Sequence, residues 1–92
     1  MTTEAGHSVK LKYFAWVREK VGLAEEDILL PASLETVADV IAWQRGRGPE
    51  FAEAFASGKR VVRAAVDRIH AKPEASIVSA REIAFFPPVT GG

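Results

Sequence analysis

The final eight residues, Phe85, Phe86, Pro87, Pro88, Val89, Thr90, Gly91 and Gly92, carry the most chemically suggestive order in the chain. Paired prolines stop a strand and favour an extended polyproline II path of roughly 3.1 Å per residue, so the closing residues can project about 15 Å from the body. Two glycines without Cβ let the chain thread a channel too narrow for other residues and bring its carboxylate close to a reacting group. That carboxylate, with a pKa of about 3.5, is anionic at neutral pH and a poor electrophile. Its chemistry needs outside activation, usually an acyl-adenylate made with ATP by a partner enzyme. A sulfur or nitrogen nucleophile can then take the acyl group.

Other chemistry has little support. His7 and His70 are the only histidines, and neither has a second ligand at helical metal spacing, so no metal site is expected. The serines lack a nucleophile-elbow context, and no phosphate loop or dinucleotide fingerprint occurs. Asp67 and Glu82 can pair as acid and base, but isolated carboxylates in hairpins are more often turn residues. The chain has no cysteine, which removes thiolate nucleophiles and Cys-based zinc sites. Twelve basic and twelve acidic side chains balance, so no global field draws the molecule to nucleic acid or anionic lipid. The cluster Lys59, Arg60, Arg63, Arg68, Lys72 and Arg81 is locally positive and is read first as a solvated sheet face, with docking of an acidic partner as the alternative. The Arg45 to Gly48 stretch is read as a helix-ending loop, and Trp16 and Trp43 as core or boundary residues. With no apolar leader and no stretch near the roughly 20 residues that cross a bilayer, a cytoplasmic location is expected.

These groups must be positioned by a single small domain, since 92 residues allow one modest core. Ser8 to Phe14 alternates apolar and polar residues as a half-buried strand does. Ala15 to Val21 breaks that pattern and predicts a short helix closed by Gly22. A second strand holds Ile28 to Leu30 and ends at Pro31. Ser33 is the expected N-cap of the main helix, with Leu34, Val37, Ala38 and Ile41 as its apolar stripe and its end near Gln44. Pro49 opens another short helix carrying Phe51 and Phe55, which Gly58 stops. Val61 to Val66, Ile69 to Ala71, Ile77 to Val78 and Ile83 to Phe86 are extended candidates. This order predicts an α+β fold of the ubiquitin-like β-grasp kind, a mixed sheet of four to five strands packed on one main helix. The expected divisions are a frayed tail over 1–7, a domain over 8–86 and an extended reactive tail over 87–92.

The tail from Phe85 to Gly92 resembles that of the molybdopterin synthase small-subunit family, which are β-grasp sulfur carriers. Val9 to Ala15, with Val17, Arg18 and Glu19 following, resembles that family's opening, and Arg63 to Val66 its central strand. The resemblance covers roughly residues 9 to 92. It implies that Gly92 is adenylated by an E1-like enzyme and converted to a thiocarboxylate by a sulfur donor. Its sulfur would then be delivered inside the large subunit to cyclic pyranopterin monophosphate. Pro87, Pro88, Val89, Thr90 and Gly91 would insert into the partner's active site. The small subunit would be a reagent rather than an enzyme, binding no cofactor itself, in a heterotetramer of two small and two large subunits. The family usually has Asn where Asp67 stands, and an acidic Gly-containing turn where Ser79, Ala80 and Arg81 stand.

Strand parity places Phe14 and Phe86 on the face away from the helix, an apolar docking patch. Arg18 and His70 match partner-contacting positions through the resemblance alone. Alternatives are a sulfur carrier for thiazole or cysteine synthesis, a ubiquitin-like modifier joined to lysines through Gly92, and an interaction module with an inert terminus.

Overall fold

The computed structural model describes residues 6–56 and 61–88. Strand β1 (His7–Tyr13) starts one residue earlier than its alternation predicts, and buries Val9, Leu11 and Tyr13. Helix α1 (Ala15–Val21) follows with Val17 and Val21 turned into the core. Gly22 closes it at φ 87°, where a side chain would be strained, and donates its N–H to the Arg18 carbonyl. Strand β2 (Glu25–Leu30) pairs antiparallel with β1 and ends at Pro31 as expected.

Helix α2 (Val37–Gln44) begins three residues later than Ser33 at N-cap would place it. Thr36 is the N-cap instead. Its hydroxyl accepts from the Asp39 N–H, while the Asp39 carboxylate accepts from the N–H groups of Glu35 and Thr36. This capping box satisfies donors that a Ser33 start would leave open, and those N–H groups hold the Asp39 carboxyl below its usual range. The later start also rotates the stripe. Val37, Val40 and Gln44 are buried, Ile41 is half-buried, and Ala38 faces solvent.

A 3-10 turn (Arg45–Arg47) and helix α3 (Pro49–Ala54) follow, with Pro49 in the first turn, where its missing N–H costs nothing. Phe55 caps α3, and Gly58 lies outside the described residues. Strands β3 (Arg63–Val66), β4 (Ile69–Ala71) and β5 (Glu82–Phe86) complete a sheet of order β2-β1-β5-β3-β4. Ile77 to Val78 forms no strand: Ser76 makes an isolated bridge to Thr36, Ile77 is buried and Val78 is exposed. A lone apolar pair has the same local signature in either setting.

The central pairing is parallel, β1 against β5, and every other pairing is antiparallel. All three helices cover one face. There Tyr13 stacks on Phe85 with centroids 5.9 Å apart, and Phe55 meets Phe85 edge-on at 5.1 Å. Trp16 and Trp43 are half-buried against this core.

Glu26 shares the covered face with Leu11, its register partner, and so needs compensation there. Arg47 supplies it through two bonds of 2.7 and 3.0 Å, and the Tyr13 hydroxyl donates a third at 2.7 Å. Gln44, fully buried, donates to the Tyr13 oxygen and accepts from Arg47. The Arg47 guanidinium also lies against the rings of Trp43 and Phe51, at 5.1 and 4.2 Å from their centroids. Hydrogen bonds from Arg47 hold the Glu26 carboxyl below its usual value, against the opposing effect of burial. Burial, then the Glu26 carboxylate, push the Tyr13 phenol up.

A pH dependence follows from the direction at Glu26. Its contribution is fully present above the unfolded glutamate pKa of about 4.3 and is lost as pH falls through the lowered native value. The expected result is that Glu26→Gln lowers stability at pH 7 and flattens the acid limb of a urea-unfolding series. Identical limbs would show that the pair does not link stability to protons.

Candidate functional site

The face of the sheet opposite the helices divides into two halves. Lys10 on β1 reaches Glu25 and Asp27 on β2, at 3.3 and 3.5 Å, and Lys12 reaches Glu82 on β5 at 3.5 Å. That half pairs its own charges, two lysines against three carboxylates. Toward β5 and β3 the register brings Ala84 beside Ala65 and Phe86 beside Arg63, so small residues floor an apolar strip ending at an aromatic ring.

Phe86 is the last residue of β5 and directly precedes Pro87 and Pro88, both partly buried. Parity turns it to the open face because Ile83 and Phe85 occupy the core. The His70 ring packs against it with centroids 5.2 Å apart. Phe14 follows the last parallel pair, Tyr13 with Phe85, and donates its N–H to the Phe85 carbonyl at 3.0 Å. Its side chain is 47% exposed, far more than an aromatic core residue tolerates. The next residue, Ala15, holds φ at 54°, a left-handed turn that swings the chain from β1 into α1 and leaves Phe14 at the corner. Arg18, exposed on α1, donates its backbone N–H to the Phe14 carbonyl.

The structure therefore gathers Phe14, Phe86 and His70 around the root of the C-terminal segment, with Arg18 on the adjoining helix. Val89, Thr90, Gly91 and Gly92 lie outside the described residues, as do Lys59 and Arg60 of the basic cluster and residues 1–5 of the expected tail. Arg63, missed as a member of this site, sits opposite Phe86 and has no ion pair among the described residues. The register, which the sequence alone does not print, was its only signal.

Asp67 and Glu82 are committed elsewhere. Asp67 and Arg68 hold φ at 49° and 73°, the positive pair a two-residue hairpin needs, and the Asp67 carboxylate accepts from the N–H groups of Arg81 and Glu82 at 2.9 and 3.0 Å. Asp is among the residues that tolerate the left-handed region this turn demands. His7 has its Nε2 3.0 Å from the Ala80 carbonyl. Among the described residues, no side chain here is arranged as a nucleophile with a base. The arrangement is an exposed aromatic surface beside Pro87 and Pro88.

The chain is similar to known proteins in both sequence and fold. The molybdopterin synthase sulfur carrier subunit of Escherichia coli (strain K12) is 33% identical over 84 residues, covering 91% of this chain and 99% of that protein. The subunit of the same name from Haemophilus influenzae is 36% identical over 84 residues, covering 87% and 94%. Among solved structures, a Pyrococcus furiosus protein assigned as molybdopterin converting factor, subunit 1, superposes with a TM-score of 0.70 at 28% identity, over 91% of this chain and all of that one. The small archaeal modifier protein 1 of Haloferax volcanii shares the fold at a TM-score of 0.69 and 24% identity, over 92% and 99% of the two chains. The fold is the ubiquitin-like β-grasp, and the ThiS family model matches residues 11–92, from the middle of β1 through the glycine pair. On sheet order and sequence alike, this chain belongs to the ThiS family.

Proposed function

We propose that this chain is the sulfur-carrying small subunit of a molybdopterin synthase. The supporting observation is the apolar patch of Phe14 and Phe86 at the root of a segment that ends in Pro87, Pro88 and, at the chain's end, Gly91 and Gly92. An E1-like enzyme joins the Gly92 carboxylate to the α-phosphate of ATP and releases pyrophosphate. A sulfur donor then displaces AMP and leaves a thiocarboxylate, whose sulfur is an effective nucleophile where the carboxylate was inert. Inside the large subunit, Pro87 to Gly91 hold that sulfur toward cyclic pyranopterin monophosphate, and two carriers supply the two dithiolene sulfurs. The bases and the substrate pocket belong to the large subunit, in a complex of two small and two large chains in the cytoplasm.

The direct test is intact-mass measurement after incubation with ATP, an E1-like enzyme and a sulfide source. Exchange of one terminal oxygen for sulfur is expected; an unchanged mass alongside lysine conjugates would replace this reading with a protein modifier. Docking is tested separately. Phe86→Ala or Phe14→Asp should weaken association with the large subunit by more than about 1 kcal/mol, because buried aromatic anchors dominate such interfaces. Calorimetric titration giving unchanged affinity would place the docking face elsewhere.

A further inference from the structure

β4 is the outer strand at one margin of the sheet, and it leaves one residue's backbone unpaired. In a two-residue hairpin the flanking residues Val66 and Ile69 exchange both ladder bonds, so alternation turns the N–H and C=O of His70 outward and those of Ala71 back toward Ala64. The bond from the Asp67 N–H to the Glu82 carbonyl fixes the same phase from the other side of β3. Among the described residues no hydrogen bond reaches the His70 backbone from outside the hairpin.

The side chains at this margin alternate in kind. Ile69 is 71% exposed, the most exposed large apolar residue described. With Val66, Ala71 and Ala75 it lines a groove of about 470 Å³ that His70, Asp67, Lys72 and Glu74 also border. His70 alternates with Ile69 and Ala71 along β4, Arg68 stands in the turn before the strand and Lys72 just past its end, and neither Arg68 nor Lys72 has an ion pair among the described residues. The Asp67 carboxylate is taken by two backbone N–H groups, which leaves Glu74 as the nearby counter-charge.

We propose that this margin binds an extended segment of a protein partner in which carboxylates alternate with apolar side chains, laid antiparallel beside β4. The segment residue opposite His70 exchanges both hydrogen bonds with it. Its two neighbours lower apolar side chains onto Ile69 and Ala71. The residues beyond those carry carboxylates to Arg68 and Lys72, whose charge selects them. Strand β2 of a second copy has acids at a similar spacing, but Glu25 and Asp27 are engaged by Lys10 and Glu26 by Arg47, so a foreign segment fits better. This site does not depend on the sulfur-carrier reading.

The test uses the full chain, labelled with ¹⁵N, and two blocked pentapeptides, Glu-Val-Thr-Val-Glu and Lys-Val-Thr-Val-Lys. The acidic peptide should shift the amides of Ile69 to Lys72 saturably and slow solvent exchange at the His70 amide, while the basic peptide does neither. Arg68→Glu with Lys72→Glu should weaken binding about tenfold, from exposed pairs lost and reversed. His70→Pro removes the outward donor without touching a β3–β4 bond, and should abolish binding in a chain whose remaining spectrum is intact. No response, an equal response to both peptides, a response confined to β2, or His70 protection that grows with protein concentration alone would each overturn the proposal.

Discussion

Removing Gly92, or adding one residue behind it, should abolish sulfur transfer while leaving the unfolding midpoint and the affinity for the large subunit nearly unchanged. The reacting atoms in this scheme are those of the terminal carboxyl group, and no side chain near the stalk root can substitute for them. Asp67 is bound into its hairpin, Glu82 is paired with Lys12, and His70 packs on Phe86. An extension turns the Gly92 carboxyl into an amide and carries the free carboxylate one residue further out, and a deletion retracts it by the same step, roughly 3.1 Å along an extended chain. A displacement near 1 Å at a reacting centre can already cost about a hundredfold, so the expected loss exceeds that. Single-turnover assay with purified large subunit measures it. Normal molybdopterin formation by either variant would end the proposal.

Phe85→Ala should destabilise the fold by about 3–5 kcal/mol. Phe85 has no solvent exposure, stacks on Tyr13 and meets Phe55 edge-on, so truncation opens a void that the helices cannot easily fill. Small domains commonly hold about 5–15 kcal/mol in total, so the variant loses a large fraction of its stability. Urea denaturation followed by tryptophan fluorescence reads the change. A loss below about 1 kcal/mol would show that the aromatic cluster repacks around the gap. The neighbouring Phe86→Ala, on the open face, should leave the same curve little moved, and the contrast between adjacent phenylalanines separates a core residue from a docking residue.

Local patterns made several elements legible before any coordinates. The alternation of Val9, Leu11 and Tyr13, the stop at Gly22, and the parity of Phe85 against Phe86 each depend on neighbours in sequence. Features that depend on distant partners were less visible. Ser33 and Thr36 are both competent caps, and the choice rests on Asp39 reaching back and on the bond from the Val37 N–H to Ala75, far along the chain. Gln44 reads as a polar helix end, yet it is fully buried because Tyr13, thirty-one positions away, presents its hydroxyl. The acid at Glu26, on the covered parity of β2, was a usable signal: a carboxylate there demands a buried cation, and Arg47 was near enough in type and place to be suspected. For the site, the outward turn of Phe14 and Phe86 was readable from parity, Arg63 required the strand register, Arg18 and His70 were singled out through family likeness alone, and the end of the tail lies outside the described residues.

The parallel seam between β1 and β5 has a consequence for biogenesis. A ribosome releases β1 first and β5 roughly seventy residues later, by the register that sets Lys10 against Glu82. Until then β1 lacks its central neighbour, and the aromatic pair at its end has only one member. A nascent or truncated polypeptide therefore lacks the finished sheet, and under the proposed sulfur-carrier role only a molecule that has completed folding would offer its terminus for charging.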